Sequence, residues 1–218
     1  MRLSDVEKVW MKLVDVDVEM LPSSDGAIHI EAAPESAFSL KKRSGELKIL
    51  TSTGWKLRNL PRPHKLRAKL VLRVPGGVEV SGGMKRVSLH AEGMSFGSLA
   101  TVEAAVELRN CAVRKLAVGF TRLSGSLYVL EKTEMAVSMG RLKLKILELE
   151  APIDVSVAMG SLRLYLPEDC DALLDVAGNT EGVILASRGL FGSGEHRIRL
   201  SNMNGVIVVE TWGDGNDV

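Results

Sequence analysis

Acidic residues two positions apart are the first candidates for chemistry, because a glycoside-cleaving site needs a pair of carboxyl groups on either side of the bond. Asp15 and Asp17 form one such pair, and Glu148 and Glu150 form another. Residues two apart in a β-strand point to the same side, so both pairs also fit a solvated strand face. The sequence therefore predicts no catalytic residue and no enzymatic activity, with a polysaccharide-processing β-helix enzyme as the alternative.

Histidines, cysteines and glycine-rich segments give no stronger signal for a site. None of the histidines lies in an HExxH-type or nucleophile-elbow motif, and they share no spacing: His29, His64, His90 and His196. Cys111 and Cys170 lack CxxC spacing, which predicts two buried or half-buried thiols rather than a disulfide framework or metal ligands. The segment 189–194 lacks the Lys-Ser/Thr ending of a phosphate-binding loop and precedes a strand-like stretch, so we expect a turn. We expect no metal and no other cofactor.

One segment has an uneven charge. No acidic residue lies between Glu46 and Glu79, whereas basic residues accumulate there, with Trp55 and His64 among them. We predict a candidate site for an anion or anionic polymer at Lys56, Arg58, Arg62, Lys65, Arg67 and Lys69. Its ligand would be a polyanionic glycan, a nucleic acid or anionic lipid headgroups. The alternative is a Lys/Arg-rich edge that prevents unwanted strand pairing.

Composition places the chain in an ordinary class. Its 218 residues are 45% apolar and 25% charged, with a formal net charge of +1, so no overall charge attracts nucleic acid or membrane. Only 4% of the residues are aromatic. No stretch approaches the roughly 18 apolar residues that a membrane span needs, and the first residues are charged. We expect a cytoplasmic protein, with association at a membrane surface left open.

The elements that must position any site are repeats. A glycine followed by alternating apolar residues recurs along the chain, at Gly26, Gly45, Gly97, Gly125, Gly140, Gly160, Gly182 and Gly205. The second residue after each glycine is always Leu or Ile, while the third varies. This alternation predicts strands with one face in a core. We expect Leu127, Leu142 and Leu162 to stack in one core column, with Met139 and Met159 stacked inside as well.

The spacing of the repeats predicts a parallel β-solenoid, with a β-sandwich as the alternative. Ser4 to Glu7 fits a helix capping box, and Val6, Val9, Trp10 and Leu13 follow helical spacing. We therefore predict a capping helix over residues 1–13, a single β-solenoid domain over 14–212 and a flexible polar tail over 213–218.

The repeats resemble a known pattern, Ser/Gly-Gly-x-Leu/Ile-x-Leu. The segments that match it are Ser44–Ile49, Leu70–Val80, Ser124–Val129 and Met159–Pro167. Over residues 14–212 the chain is similar to the putative-adhesin family of repeat proteins, and this resemblance implies a right-handed parallel β-helix or roll and no catalytic residues. We expect a non-enzymatic scaffold or binding module, adhesin-like in architecture. Its partner would be a protein or an anionic polymer, or further copies of the chain joined through solenoid ends or edges.

Overall fold

The structure is a computed structural model that describes residues 1–52, 67–178, 181–185 and 190–212. The described residues form 21 strands, which are hydrogen-bonded into one sheet, and one short 3-10 helix, Glu35–Ala37. The all-β class is therefore confirmed. Among these residues, no helix is long and apolar enough to cross a membrane.

The strand bounds follow chain order. They are β1 Arg2–Leu3, β2 Lys8–Val14, β3 Val16–Ser23, β4 Ile28–Ala33, β5 Phe38–Arg43, β6 Glu46–Thr51, β7 Ala68–Pro75, β8 Glu79–Lys85, β9 Ser88–Glu92, β10 Ser95–Val102, β11 Ala105–Gly119, β12 Arg122–Val129, β13 Thr133–Ser138, β14 Arg141–Leu149, β15 Ile153–Val157, β16 Ser161–Pro167, β17 Ala172–Gly178, β18 Val183–Leu185, β19 Leu190–Phe191, β20 His196–Asn202 and β21 Val206–Trp212.

Two series of parallel neighbours make up most of the sheet. The first ladder runs β7, β3, β9, β11, β12, β14, β16, β21. The second ladder runs β6, β2, β8, β10, β11, β13, β15, β20, β17. The long strand β11 belongs to both ladders, so the sheet is continuous through it.

Antiparallel strands pair with the end strands of both ladders. Strand β4 pairs with β7 and β1, β5 pairs with β6, and β19 pairs with β17, all antiparallel. The predicted right-handed parallel β-helix is therefore wrong, as is the alternative sandwich, because the strands form one curled sheet of mixed direction. Alternating residues predict a strand but not its direction, since side chains alternate equally in parallel and antiparallel strands.

The predicted N-terminal capping helix is also wrong, since residues 8–14 form strand β2. Val9, Met11 and Leu13 are buried, whereas Trp10 is 36% exposed. Burial thus follows a period of two rather than the helical stripe. The Ser4 hydroxyl donates to the Asp5 carboxylate at 3.1 Å, and Asp5 has a positive φ of 56°, so the expected capping box does not form.

A continuous column of apolar side chains lies in the core of the first ladder. Its members are register partners on successive strands and are all buried: Leu70, Val18, Leu89, Val106, Leu123, Leu142, Leu162 and Ile207. Leu142 and Leu162 pair as expected, but Leu127 pairs with Ile146, further along the strand. The prediction that Leu127 shares their column is wrong, because the Gly125 copy of the repeat is offset along β12.

The two repeat methionines lie outside the core. Met139 is 42% exposed and Met159 is 46% exposed, so the expected internal methionine stack is wrong. Met139 has a positive φ of 56° and lies between strands β13 and β14, where the chain turns. At this left-handed turn its side chain projects outward instead of continuing the buried column.

Candidate binding surface

Most of the predicted basic site falls outside the described residues. Lys56, Arg58, Arg62 and Lys65 lie there, as do Trp55 and His64. Arg67 and Lys69 are described, at the start of β7. Arg67 Nη1 lies 3.0 Å from Asp17 Oδ1, and Lys69 Nζ lies 3.4 Å from Glu19 Oε2. Carboxylates of the neighbouring strand β3 thus offset the charge of these two residues.

A different row of side chains crosses the outer face of the second ladder. Its members are register partners on six adjacent strands, β5, β6, β2, β8, β10 and β11: Lys41, Lys48, Trp10, Ser81, Ser98 and Lys115. All six residues are at least partly exposed, so the row faces away from the core. Adjacent strands are about 4.8 Å apart, so this cross-strand row extends for about 24 Å.

The Lys41 end of the row opens into a basic basin. This concave surface has a volume of about 670 Å³ and is lined by Lys41, Lys42, Arg43, Ser44, Glu46 and Lys48. Its single carboxylate, on Glu46, lies 3.3 Å from Lys48 Nζ. Lys42 Nζ donates to the Ser4 carbonyl at 2.5 Å. No carboxylate of the described residues lies within 4.0 Å of Lys41 or Arg43, so the basin keeps an excess of positive charge.

Small residues leave open space beside Trp10. The Ser98 amide donates to Ser81 Oγ at 3.1 Å, which fixes the Ser81 side chain against the next strand. Gly83 is the register partner of Lys12 and Ala100, and a side chain placed on Gly83 would have no atom within 4 Å. The row is thus bordered by a shallow floor on which an extended polymer has room to lie.

Beyond Lys115 the same face forms a groove of about 500 Å³. Ala117, Ala136 and Ser156 lie along it, and Glu134 and Asp154 lie side by side on neighbouring strands. Lys132 Nζ lies 3.3 Å from Glu134 and 2.8 Å from Asp154. Hydrogen bonding from Lys132 lowers the pKa of the Glu134 carboxyl. A general acid for glycoside cleavage needs a raised pKa, so Glu134 is suited to ionic contacts and not to proton donation.

Two of the side chains singled out in the sequence, Asp15 and His29, are engaged by neighbours. Asp15 receives two hydrogen bonds from Arg86, at 2.7 and 2.8 Å, and lies in the turn between β2 and β3, so it does not share a strand face with Asp17. His29 Nε2 lies 2.9 Å from both oxygens of Asp25. In the part of the chain that is described, no group of three or more His, Cys, Asp or Glu side chains is placed to hold a metal ion.

Both cysteines are buried and unpaired, as the sequence predicted. Burial raises the pKa of the Cys111 thiol. Burial, and to a smaller extent the negative charge of the nearby Asp169, raises the pKa of Cys170 to about 11. Neither thiol therefore has the lowered pKa of a nucleophile. In the segment 189–194, Gly189 lies outside the described residues, and the Ser193 amide donates to Asp171 at 2.6 Å within the expected turn.

Two features of the sequence point to the row, although the sequence-based prediction placed the basic site elsewhere. The basic run Lys41–Arg43 ends at Ser44-Gly45, a typical hairpin turn, and Lys48 follows on the return strand. Trp10 was assigned to a helix, which concealed that it faces away from the core. The pairing of Trp10 with Lys48 joins distant parts of the chain, and no local pattern predicts it.

No family model and no curated protein matches the sequence. Three solved structures align over most of their length. One is a putative adhesin from Bacteroides fragilis, with 10% sequence identity and a TM-score of 0.47, covering 96% of this chain and 94% of the other. A putative cell adhesion protein from Clostridium sporogenes has 10% identity and a TM-score of 0.35, covering 95% of this chain and 94% of the other. A putative lipid binding protein from Parabacteroides distasonis has 17% identity and a TM-score of 0.36, covering 95% of this chain and 93% of the other. Two of these names agree with the resemblance to putative adhesins. Because all three TM-scores are below 0.5, the similarity does not indicate a ligand for this chain.

Proposed function

We propose that the protein is a non-enzymatic binding module that holds an acidic polysaccharide along the cross-strand row. The observation that carries this proposal is the in-register order Lys41, Lys48, Trp10, Ser81, Ser98 and Lys115 on six adjacent strands. The row places cations at both ends, with an aromatic ring and two hydroxyl groups between them.

Each kind of side chain in the row matches a group of an acidic sugar polymer. The ammonium groups of Lys41 and Lys48 attract sulfate or carboxylate groups, and the basin concentrates this positive charge. The exposed part of the Trp10 ring offers an apolar surface against which a sugar ring packs. The Ser81 and Ser98 hydroxyls donate and accept hydrogen bonds, as sugar hydroxyls require.

A polysaccharide fits this surface better than a single-stranded nucleic acid. Proteins that bind single strands without sequence preference stack successive bases on several aromatic side chains along a basic groove. The row contains one aromatic side chain, Trp10, and continues with serines and small residues. Basic charge alone would attract either polymer, so the difference lies in what surrounds the tryptophan.

The lack of enzymatic activity is part of the proposal. Glu134 and Asp154, the carboxylates beside the Lys115 end of the row, share Lys132, whose hydrogen bond lowers the pKa of Glu134. Hydrolysis of a glycosidic bond needs one of two carboxyl groups to be protonated at the start of the reaction. Because Glu134 is held in its ionised form, we expect this surface to bind a polymer without cleaving it.

The basic segment predicted from the sequence is a second proposed contact for the same polymer. It comprises Lys56, Arg58, Arg62, Lys65, Arg67 and Lys69. The ion pairs of Arg67 with Asp17 and of Lys69 with Glu19 favour a smaller contribution from these two residues than from Lys41, which has no carboxylate of the described residues within 4.0 Å. Replacing Arg58, Arg62 and Lys65 by Ser together would measure this contribution separately from the row.

The test is isothermal titration of the full chain with dextran sulfate and with alginate over a series of salt concentrations. Lys41→Ser/Lys48→Ser should weaken binding and reduce the slope of log Kd against log salt by about two, roughly one for each cation that is removed. Lys143→Ser/Lys145→Ser removes the same charge from the first ladder and should leave the slope nearly unchanged. Trp10→Ala should weaken binding more than Trp10→Tyr, because tyrosine keeps a ring.

Three results would overturn the proposal. One is affinity that does not change with salt, and another is an equal effect of the two double variants. The third is tighter binding of a single-stranded oligonucleotide than of either polysaccharide, which would assign the row to nucleic acid. Products of chain cleavage in the same mixtures would contradict the non-enzymatic part.

A further inference from the structure

Large apolar side chains are exposed in one series of turns that connect the two ladders. Phe120 is 59% exposed, Met139 is 42% exposed and Met159 is 46% exposed, with Val102 at 40% beside them. They lie in consecutive turns, because the Phe120 amide donates to the Ser138 carbonyl and the Met139 amide donates to the Met159 carbonyl. We call Phe120, Met139 and Met159 the apolar ridge.

The same turn position is charged in the other half of the molecule. Asp15, Arg86 and Glu103 occupy it, with left-handed φ values of 57°, 52° and 53° that match the 51° of Phe120. Arg86 pairs with Asp15 at 2.7 Å and with Glu103 at 3.9 Å. One half of this series of turns is therefore covered by ion pairs, and the other half presents apolar surface to solvent.

Phe120 and Met139 have left-handed backbones, with φ values of 51° and 56°, and all three ridge residues are exposed; both features are unfavourable. A left-handed backbone at a residue other than glycine costs about 1–2 kcal/mol, and asparagine or aspartate tolerates it better than a bulky side chain. Exposing a phenylalanine and two methionines to water forfeits the stabilisation that their burial would provide. Strain and exposure at the same place point to a surface that is covered when the protein acts.

Two exposed arginines flank the ridge. Arg122 and Arg141 each follow a ridge residue by two positions, are exposed, and are register partners on β12 and β14. Among the described residues, no carboxylate lies within 4.0 Å of either guanidinium group. Like charges directly opposite each other on neighbouring strands repel, so this pair favours an anionic counterpart.

We propose that the apolar ridge docks on an anionic lipid surface, with Phe120, Met139 and Met159 in the boundary between headgroups and acyl chains and with Arg122 and Arg141 on the headgroups. The ridge follows a series of turns and projects from the sheet, a shape that enters a soft interface rather than enclosing a peptide. The arginine pair supplies the electrostatic part of such binding. The inference is independent of the polysaccharide proposal, because the ridge and the cross-strand row have no residue in common.

The experiment is flotation of the full chain with vesicles of phosphatidylcholine alone and of phosphatidylcholine with phosphatidylglycerol. We expect binding to the anionic vesicles only. Arg122→Gln/Arg141→Gln should lower the partition coefficient by roughly 30-fold, since each basic residue near the surface contributes about 1 kcal/mol. Phe120→Asn/Met139→Asn should abolish binding, and its melting temperature should be unchanged or higher, because asparagine tolerates the left-handed turn.

Controls separate this surface from the rest of the molecule. Leu130→Ser/Leu173→Ser removes exposed apolar residues elsewhere, at 50% and 42% exposure, and should keep full vesicle binding. Lys41→Ser/Lys48→Ser should also keep it. Binding that survives the asparagine variant, equal binding to both kinds of vesicle, or no binding to either would overturn the proposal. So would an oligomer in light scattering that the asparagine variant dissociates, because the ridge would then join copies of the chain.

Discussion

Gly82 of strand β8 is the register partner of Met11 on strand β2, and the structure predicts that even an alanine side chain is too large there. A Cβ atom placed on Gly82 would lie 2.4 Å from the Met11 carbonyl oxygen and 3.1 Å from the Met11 Cβ. The nearest atom belongs to the backbone of a strand that is itself paired on both sides, with β6 and with β8. Relief of the contact therefore requires the two strands to separate.

The size of the effect follows from that distance. Ordinary contacts of a Cβ atom begin near 3.4 Å, so the strands must move by about 1 Å. Overpacking of this kind costs typically about 1–3 kcal/mol. For a chain of this size each kcal/mol lowers the melting temperature by about 2–4 °C, so Gly82→Ala should melt roughly 2–12 °C below the natural protein.

Gly83→Ala is the matched control, because the same atom at the next residue would have no neighbour within 4 Å. Neither glycine has the positive φ that would strain any other residue. Differential scanning calorimetry should show no loss for Gly83→Ala, or a gain of up to about 1 kcal/mol from the reduced freedom of the unfolded chain. Equal melting temperatures for the two variants would refute the close packing of β2 against β8, on which the cross-strand row depends.

Three further predictions concern the core and two titrating groups. Leu162→Ala should lower the free energy of unfolding by about 2–5 kcal/mol in urea denaturation, since Leu162 is buried in the column of the first ladder; a change near zero would place it outside the core. Alkylation of Cys170 by iodoacetamide should be slow at pH 8 and should accelerate up to a pH of about 11, because burial and the Asp169 charge disfavour the thiolate; rapid reaction at pH 7 would contradict this. The Asp25 carboxyl, held ionised mainly by its hydrogen bond with His29, should titrate below its ordinary pKa in NMR spectra, and His29→Ala should raise that pKa. Since the folded pKa is lowered, this contact should contribute to stability above pH 4 and be lost as the pH falls; identical titration in both proteins would refute the contact.

The alternation of apolar and polar residues predicted the core correctly over much of the chain. Leu142 and Leu162 are buried and paired as expected, because a strand with one buried face leaves a period of two in the sequence whatever its partners are. The same pattern does not encode strand direction. The antiparallel partners β4, β5 and β19 were therefore not predictable from it.

The N-terminal error has a specific physical origin. Val9 and Leu13 are four residues apart, a spacing that fits one face of a helix and also one face of a strand. Met11 decides between them, because a strand buries it and the predicted helical stripe omits it. Met11 is fully buried in the structure, and Trp10 faces outward.

The candidate surface was less predictable than the core. Lys41 and Lys48 belong to a local hairpin, and their proximity could be read from the basic run and the turn that follows it. Placing Trp10 beside Lys48 depends on a parallel pairing between distant segments, and its register is set by packing of the whole core. The apolar ridge was missed because Met139 and Met159 occupy equivalent repeat positions, which suggested a buried stack.

The most direct test of the polysaccharide proposal is lysine footprinting by acetylation and mass spectrometry, with and without saturating dextran sulfate. The row predicts that bound polymer protects its three lysines, Lys41, Lys48 and Lys115, and the adjacent Lys12 on the same outer face. Lys143 and Lys145 of the first ladder should be modified at unchanged rates. Protection spread evenly over all these lysines, or confined to Lys143 and Lys145, would show that the polymer does not follow the row.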